Sequence, residues 1–332
     1  MRLSGAVKNP YAGFLLFSLL VLALPLVVTN QYYLGVLVII AIHSIIVLGL
    51  DLLLGYTGQI SLGHASFFGL GAYLTGVPSA HWQWPPLAGL AVALPVVAAI
   101  AWVIGVPTLK LHGHYLAMAT LGFGIIVFIF FNELGSLTGG PSGLTGIEAM
   151  NLFGVTFDSD REWYYLAVAF LLAVLLLSIN VVRSRVGRAL RAIHGSEAAS
   201  GVLGVNISRY KVGIFVLSAL YAALAGWLYA HYITFISPSS FTFMFSVKLV
   251  TMVVIGSLGS LWGAIFGAAI LTSLPEILYV FHSYETLVFG IILIMVMIFM
   301  PRGLLRGIED LIIHLWHKGL SSFTRAEGEE RP

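Results

Sequence analysis

Residues 48–77 read LGLDLLLGYTGQISLGHASFFGLGAYLTGV, an apolar run broken by Gly55, Gly58, Gly63, Gly69, Gly71 and Gly76 and carrying Asp51, Thr57, Gln59, Ser61, His64 and Ser66. A hydrocarbon core about 30 Å thick needs roughly 20 apolar residues of helix, so a run this long reads as membrane-embedded. Its glycines make it a poor uninterrupted helix, and the spacing predicts a short, broken or re-entrant segment. Polar side chains in that setting must find partners, because no water is at hand to satisfy them. Two readings stand side by side. Thr57, Gln59, Ser61 and His64 line a pore or gate, or the glycines and hydroxyls let helices approach closely and hydrogen-bond across the contact.

Outward from this run, the same pattern fills the chain. Apolar stretches recur at about 11–29, 33–54, 56–77, 86–106, 114–133, 163–182, 212–234, 246–258, 261–280 and 284–300, and residues 244–270 repeat the glycine crowding with Gly256, Gly259, Gly263 and Gly267. Hydrophobic residues make up 59% of the 332 positions and charged residues 9%, where a soluble domain carries about 25% charge. The expected fold class is therefore an all-α polytopic membrane protein of about ten spans. The N-terminal run from Phe14 to Val28 is too long and lacks the small-residue cleavage pattern of a signal peptide.

Orientation follows from the excess of Lys and Arg in cytoplasmic loops. The connection 183–211 holds Arg183, Arg185, Arg188, Arg191, Arg209 and Lys211 against the single acid Glu197, which places it in the cytoplasm. Alternation from there leaves only Arg161 and Lys248 of the sixteen bases elsewhere, with both termini inside. A single crossing over 244–280 would carry the basic tail outside, so two short crossings separated near Gly259 are expected. The layout becomes a cytoplasmic N-terminus over 1–10, a permease domain over 11–300 with a cytoplasmic loop at 183–211, and a cytoplasmic tail over 301–332. Five spans in each half make any internal repeat an inverted one, and the two glycine-rich segments fall third in each half, a pattern that points to a transport pathway.

Among individual residues, Asp51 is the one acid deep in an apolar span and a functional position by default. It relays protons, or it sits near the cytoplasmic end of its helix, hydrated or bonded to the following glycine-rich turn. Lys248 lies close enough to a span end to snorkel. The external stretch 137–144 (LTGGPSGL) reads as a tight turn or a contact. In the basic connection, the segment from Gly195 to Gly204 predicts two helical turns capped by Ser196, suited by composition to lying on the membrane face as an anchor. There is no cysteine, no metal-ligand spacing among the ten histidines, no Gly-x4-Gly-Lys-[Ser/Thr] phosphate loop, no His-Glu-x-x-His and no Gly-x-Ser-x-Gly. ATP hydrolysis by the phosphate-loop route and the common intramembrane hydrolase chemistries are thereby excluded, and the net charge of +2 gives no indication of nucleic acid binding.

Three stretches together resemble one family. The run 48–77, the run from Gly113 to Gly143 (GHYLAMATLGFG…NELGSLTGGPSG), and the run beginning GRALRAIHGSEAASGVLGVNISRYK at Gly187, followed by MVVIGSLGSLWGAIFGAA at Met252, are similar to the permease subunits of branched-chain amino acid ABC importers, in their LivM-like branch. The resemblance implies a heterodimer with a LivH-like permease, two cytoplasmic ATPases that use ATP and Mg, a periplasmic binding protein, and a bacterial inner-membrane location, with no cofactor bound by this chain. It also implies that Glu197, Ala198, Ala199 and Gly204 belong to a coupling helix that contacts an ATPase, with Arg188 and Arg191 beside it. The translocation path is expected at Asp51, Thr57, Gln59, Ser61 and His64. Asp51 stands where relatives usually carry Asn, and Ile125 where they often carry an acidic or polar residue, so urea and short-chain amides remain alternative cargoes. A proton-coupled carrier or channel is the competing class.

Overall fold

The computed structural model describes residues 10–109, 114–152 and 155–278, and singly residues 287, 290, 291 and 294. In chain order the helices are α1 (Pro10–Val27), α2 (Gln31–Thr57), α3 (His64–Trp82), α4 (Pro86–Thr108), α5 (His114–Glu133), the single turn α6 (Gly135–Thr138), α7 (Asp160–Arg183), α8 (Arg185–Gly195), α9 (Glu197–Val202), α10 (Ile207–Ile233), α11 (Phe243–Gly256) and α12 (Leu261–Leu278). Single 3-10 turns occupy Gly140–Ser142 and Pro238–Phe241, and a minimal antiparallel hairpin pairs β1 (Asn151–Leu152) with β2 (Val155–Thr156). This hairpin, in the loop before α7, departs from a purely helical expectation.

Among the described residues, five helices are long and apolar enough to cross a membrane: α2, α4, α5, α7 and α10. The shorter apolar helices α1, α11 and α12 and the glycine-rich α3 complete the bundle. The expected tenth span, 284–300, lies outside the continuously described residues, as do the 1–9 terminus, Lys110 and the tail 301–332.

Burial separates the helices by role. α2 is buried without a break from Ala41 to Leu54, as a helix apolar on every side must be when other helices surround it. It packs against α7, α10, α11 and α12, while α10 packs against α2, α3 and α4. α4 instead buries one stripe spaced by four residues, Gly89, Ala93, Val97, Ala101 and Gly105, and leaves Trp102 and Val103 exposed. That is the pattern of a peripheral helix with one face on protein.

Small residues set the closest approaches. A Cβ placed on Gly71 would lie 2.2 Å from the Ala223 carbonyl oxygen, and one on Gly226 would lie 2.1 Å from that of Phe68, so α3 and α10 touch backbone to backbone. The same holds between α11 and α12, where a Cβ on Gly256 would sit 2.0 Å from the Gly263 oxygen.

The expected single span over 56–77 is corrected. α2 runs on to Thr57 and stops at Gly58, whose φ of +70° lies in the left-handed region and whose N–H donates to the Leu54 carbonyl at 3.0 Å. Residues 58–63 are non-helical, and α3 starts afresh at His64 and continues to Trp82. The break expected near Gly259 is present over 257–260, between α11 and α12.

Candidate translocation and coupling sites

The chain turns back into the bundle after α2. Gly58 lies against His194 of α8, a Cβ there coming 3.6 Å from its Nδ1, so α2 ends at the pole of the bundle that carries α8 and α9. His64, six residues later, bonds through Nε2 to Ser218 Oγ at 2.6 Å. Ser218 is eleven residues beyond Ile207, about 16 Å along α10 at 1.5 Å per residue. Residues 58–63 thus climb inward, and α3 begins at mid-depth.

Its first turn is satisfied from three directions. The Ala65 N–H donates to Ser246 Oγ of α11 at 3.0 Å, Ser61 Oγ bonds His64 Nδ1 at 2.9 Å, and Ser66 Oγ donates to the Gly124 carbonyl of α5 at 3.4 Å. The re-entrant stretch itself is tied to α5 by Leu62 N–H to Thr120 Oγ1 at 3.0 Å. Helix N-termini leave backbone donors without partners, and in a membrane these must be met by protein groups.

All five residues expected along the path are buried: Asp51 and His64 at 0% exposure, Ser61 at 1%, Gln59 at 3% and Thr57 at 4%. Thr57 Oγ1 donates back to the Leu53 carbonyl within its own helix. Asp51 reaches across the bundle. Its Oδ1 accepts the Gly259 N–H at 2.8 Å, from the break between α11 and α12, 208 residues away. A Cβ on Gly55 would meet that same N–H at 2.2 Å, so glycine at both 55 and 259 is what lets the carboxylate reach across. Gln59 differs from the rest: among the described residues, neither its side-chain oxygen nor its nitrogen has a hydrogen-bond partner.

The expected coupling region is built by consecutive caps. Ser184 Oγ accepts the Val186 N–H at 3.0 Å and starts α8; Ser196 Oγ accepts the Ala199 N–H at 3.2 Å and starts α9; Asn206 Oδ1 accepts the Arg209 N–H at 3.1 Å and starts α10. α8 buries Gly187, Leu190 and Ile193 and turns its arginines outward, Arg191 donating to the Val182 carbonyl at 3.2 Å and Arg188 resting on that of Arg183 at 3.5 Å. α9 ends before Gly204, whose φ is +81°.

Ala198 and Ala199 lie on the solvent side of α9, while Glu197 forms an ion pair with Lys211, the latter buried at the start of α10. Sequence reasoning counted Lys211 among the loop bases and missed this pair. The signal was present, since Glu197 is the sole acid among six bases. At the end of α9, Val202 is 89% exposed and Leu203, just after it, is 80% exposed, at a pole otherwise rich in arginine.

Lys248 lies in the second turn of α11, partly buried, beside His43 of α2, and lines a cavity formed by helix ends.

Comparison with known proteins shows the family. The family described as branched-chain amino acid transport system / permease component matches residues 32–299. The permease LivM of Salmonella typhimurium is 36% identical over 292 residues, covering 80% of this chain and 68% of that protein, and LivM of Escherichia coli K12 is 35% identical over the same coverage. The permease LivH of Escherichia coli K12 is 28% identical over 283 residues, 79% of this chain and 91% of that protein. No solved structure matches. A polytopic helical chain, with a mid-depth helix start and a capped helix pair at one pole, thus belongs to the branched-chain amino acid transport permease family.

Proposed function

We propose that the chain is the LivM-type membrane subunit of an ABC importer for leucine, isoleucine and valine, itself without ATPase activity, and that α9 is its coupling helix. The observation that carries the coupling role is the construction of 184–206. Six helical residues are too few to be stable by themselves, yet α9 is capped at its start, tied through Glu197 and Lys211 to the root of α10, and ended by two apolar side chains bare to solvent, its last residue Val202 and the following Leu203. An ATPase groove covering Val202 and Leu203 turns nucleotide-driven motion into a push on α10, and α10 is bonded to α3 through Ser218 and His64.

In this reading α8 and α9 face the cytoplasm of a bacterial inner membrane, with both termini on that side. The domains are those expected, 1–10, 11–300 and 301–332. The partners are a LivH-like permease, two ATPases that use ATP and Mg, and a periplasmic binding protein. Asp51, Thr57, Gln59, Ser61 and His64 form the hinge of the path, holding the re-entrant stretch closed at mid-depth. Ten crossings in a 5+5 inverted repeat receive support from the packing: α2 meets α12 as α10 meets α4, and α3 meets α4 as α11 meets α12.

Purification from the native membrane under mild detergent, followed by uptake in proteoliposomes, tests the proposal. Expected are a second permease and two ATPases in the complex, and leucine uptake that stops when ATP is withdrawn while a proton gradient is maintained. Uptake that persists on the gradient alone, from a chain that purifies without an ATPase, overturns it.

A further inference from the structure

The first half of α10 is bare along one flank. Two grooves, of about 650 and 630 Å³, run along it and share Asn206, Arg209 and Gly213. The first is walled on its far side by Val181 at the end of α7 and Val186 of α8, the second by Trp102 and Val106 at the end of α4. From Asn206 to Leu217 the lining follows α10 inward for about 16 Å at 1.5 Å per residue. Gly213 keeps the floor open, since a Cβ there would meet no atom within 4 Å. Beyond it Val216 and Leu217 are apolar, and the exposed Trp102 is the residue type that marks a membrane–water interface. Arg209 stands at the polar end. Its backbone N–H donates to Asn206 Oδ1, but among the described residues its guanidinium has no carboxylate or carbonyl partner. It shares this pole with Arg183, Arg185, Arg188 and Arg191, and the one acid within 183–211, Glu197, is already paired with Lys211.

We propose that the paired grooves bind one anionic phospholipid, its phosphate on Arg209 and one acyl chain in each groove on either side of Gly213. The order of chemistry along α10, a cation at the pole and then an apolar channel leading inward, is that of a phospholipid in its leaflet. α4, α7 and α10 are all long and apolar enough to cross a membrane, so their outer faces meet lipid. Basic side chains at the membrane face attract anionic headgroups, and a pole with five arginines and its single acid neutralised selects them over zwitterionic ones. A soluble phosphate would use Arg209 and leave the apolar channels empty. An ATPase seated on Val202 and Leu203 would cover α9 and would not descend along a membrane span to Leu217. Gly204 and Val205 line the first groove, so the bound lipid braces the junction between α9 and α10. The inference requires only that α4, α7 and α10 cross the bilayer, and is independent of the cargo.

The test is native mass spectrometry of the complex purified from its own membrane, stripped of lipid in detergent and titrated with dioleoyl phosphatidylglycerol or dioleoyl phosphatidylcholine. Expected is retention of phosphatidylglycerol at a concentration about fivefold lower than phosphatidylcholine requires. Arg209→Gln should weaken phosphatidylglycerol by about fivefold and leave phosphatidylcholine unchanged. Gly213→Trp, which fills the open floor and keeps every charge, should abolish this retention in a complex that assembles and melts as the native one does. Glycerol 3-phosphate, the headgroup chemistry without chains, should leave the lipid in place. Equal retention of the two lipids, or an Arg209→Gln complex that binds phosphatidylglycerol as the native one does, overturns the anionic assignment. Retention unaffected by Gly213→Trp shows that the lipid sits elsewhere and overturns the site. Displacement by glycerol 3-phosphate overturns the proposal in favour of a soluble phosphate. Lipid that binds the chain alone and is expelled when an ATPase subunit is added overturns it in favour of an ATPase surface.

Discussion

Two polar regions of this bundle look alike on paper and differ in what surrounds them. Around the 58–63 break, Asp51, Ser61, His64, Ser218 and Ser246 are buried, and their bonds run from helix to helix. At the other pole, Asp160, Lys248 and Glu276 border an open volume. A polar group that bonds a neighbouring helix deep in the bundle holds the architecture, whereas one at the rim of an open volume can change without parting helices. Perturbing the first region should therefore cost more stability than perturbing the second.

The largest expected effect is that of Gly55→Val. The new side chain would overlap the Gly259 N–H and push apart α2 and the α11–α12 turn, costing about 4 kcal/mol or more, so the chain should fail to accumulate as a monodisperse species on size-exclusion chromatography. A well-behaved Gly55→Val protein would show that the contact is loose. Asp51→Ala comes next, leaving the Gly259 N–H without its charged acceptor at a cost of about 2 kcal/mol, read as a lowered Tm. Asp51→Asn keeps an acceptor and should retain ATP-driven uptake. If it instead abolishes uptake at unchanged Tm, Asp51 acts in proton transfer and the first region is not architectural.

Glu197→Gln together with Gly204→Ala tests the third place, the pole that carries α8 and α9. Removing the charge opposite buried Lys211 and placing a side chain at left-handed Gly204 should together cost about 2 kcal/mol, while solute-stimulated ATP hydrolysis should fall to the basal rate. Stimulation at the native level would remove the coupling role. Smallest is Ser218→Ala, which loses one interhelical bond to His64 and should cost about 0.6 kcal/mol by thermal unfolding in detergent. A much larger loss would mean that the His64 ring depends on Ser218 for its position, sharpening the view of this region as a hinge. Against all four, Lys248→Met should melt close to the native temperature. If it melts as low as Gly55→Val, the contrast between the regions collapses.

Much of the fold was legible because hydrophobic run length and Lys/Arg placement are local properties that the bilayer reads directly. The helix from Gln31, the cap at Ser196 and the break near Gly259 all follow from short-range chemistry. The break at 58–63 was half legible. Glycine crowding predicted an interruption, but a left-handed residue at Gly58 and a helix restarting at His64 look the same in sequence as a helix that tolerates its glycines. The five path residues were recognisable as polar groups needing partners, and their partners were not, since Asp51 bonds a residue 208 positions away.

The sequence by itself determined that the chain is membrane-embedded and which family it resembles, because composition and motif order need no knowledge of contacts. Only the tertiary structure decided that Asp51 braces a distant turn, that Glu197 pairs with Lys211, and that Lys248 shares a cavity with Asp160 and Glu276. Whether a buried polar group is satisfied or available depends on atoms brought close by folding from remote parts of the chain, and helical periodicity carries no information about which helix stands opposite.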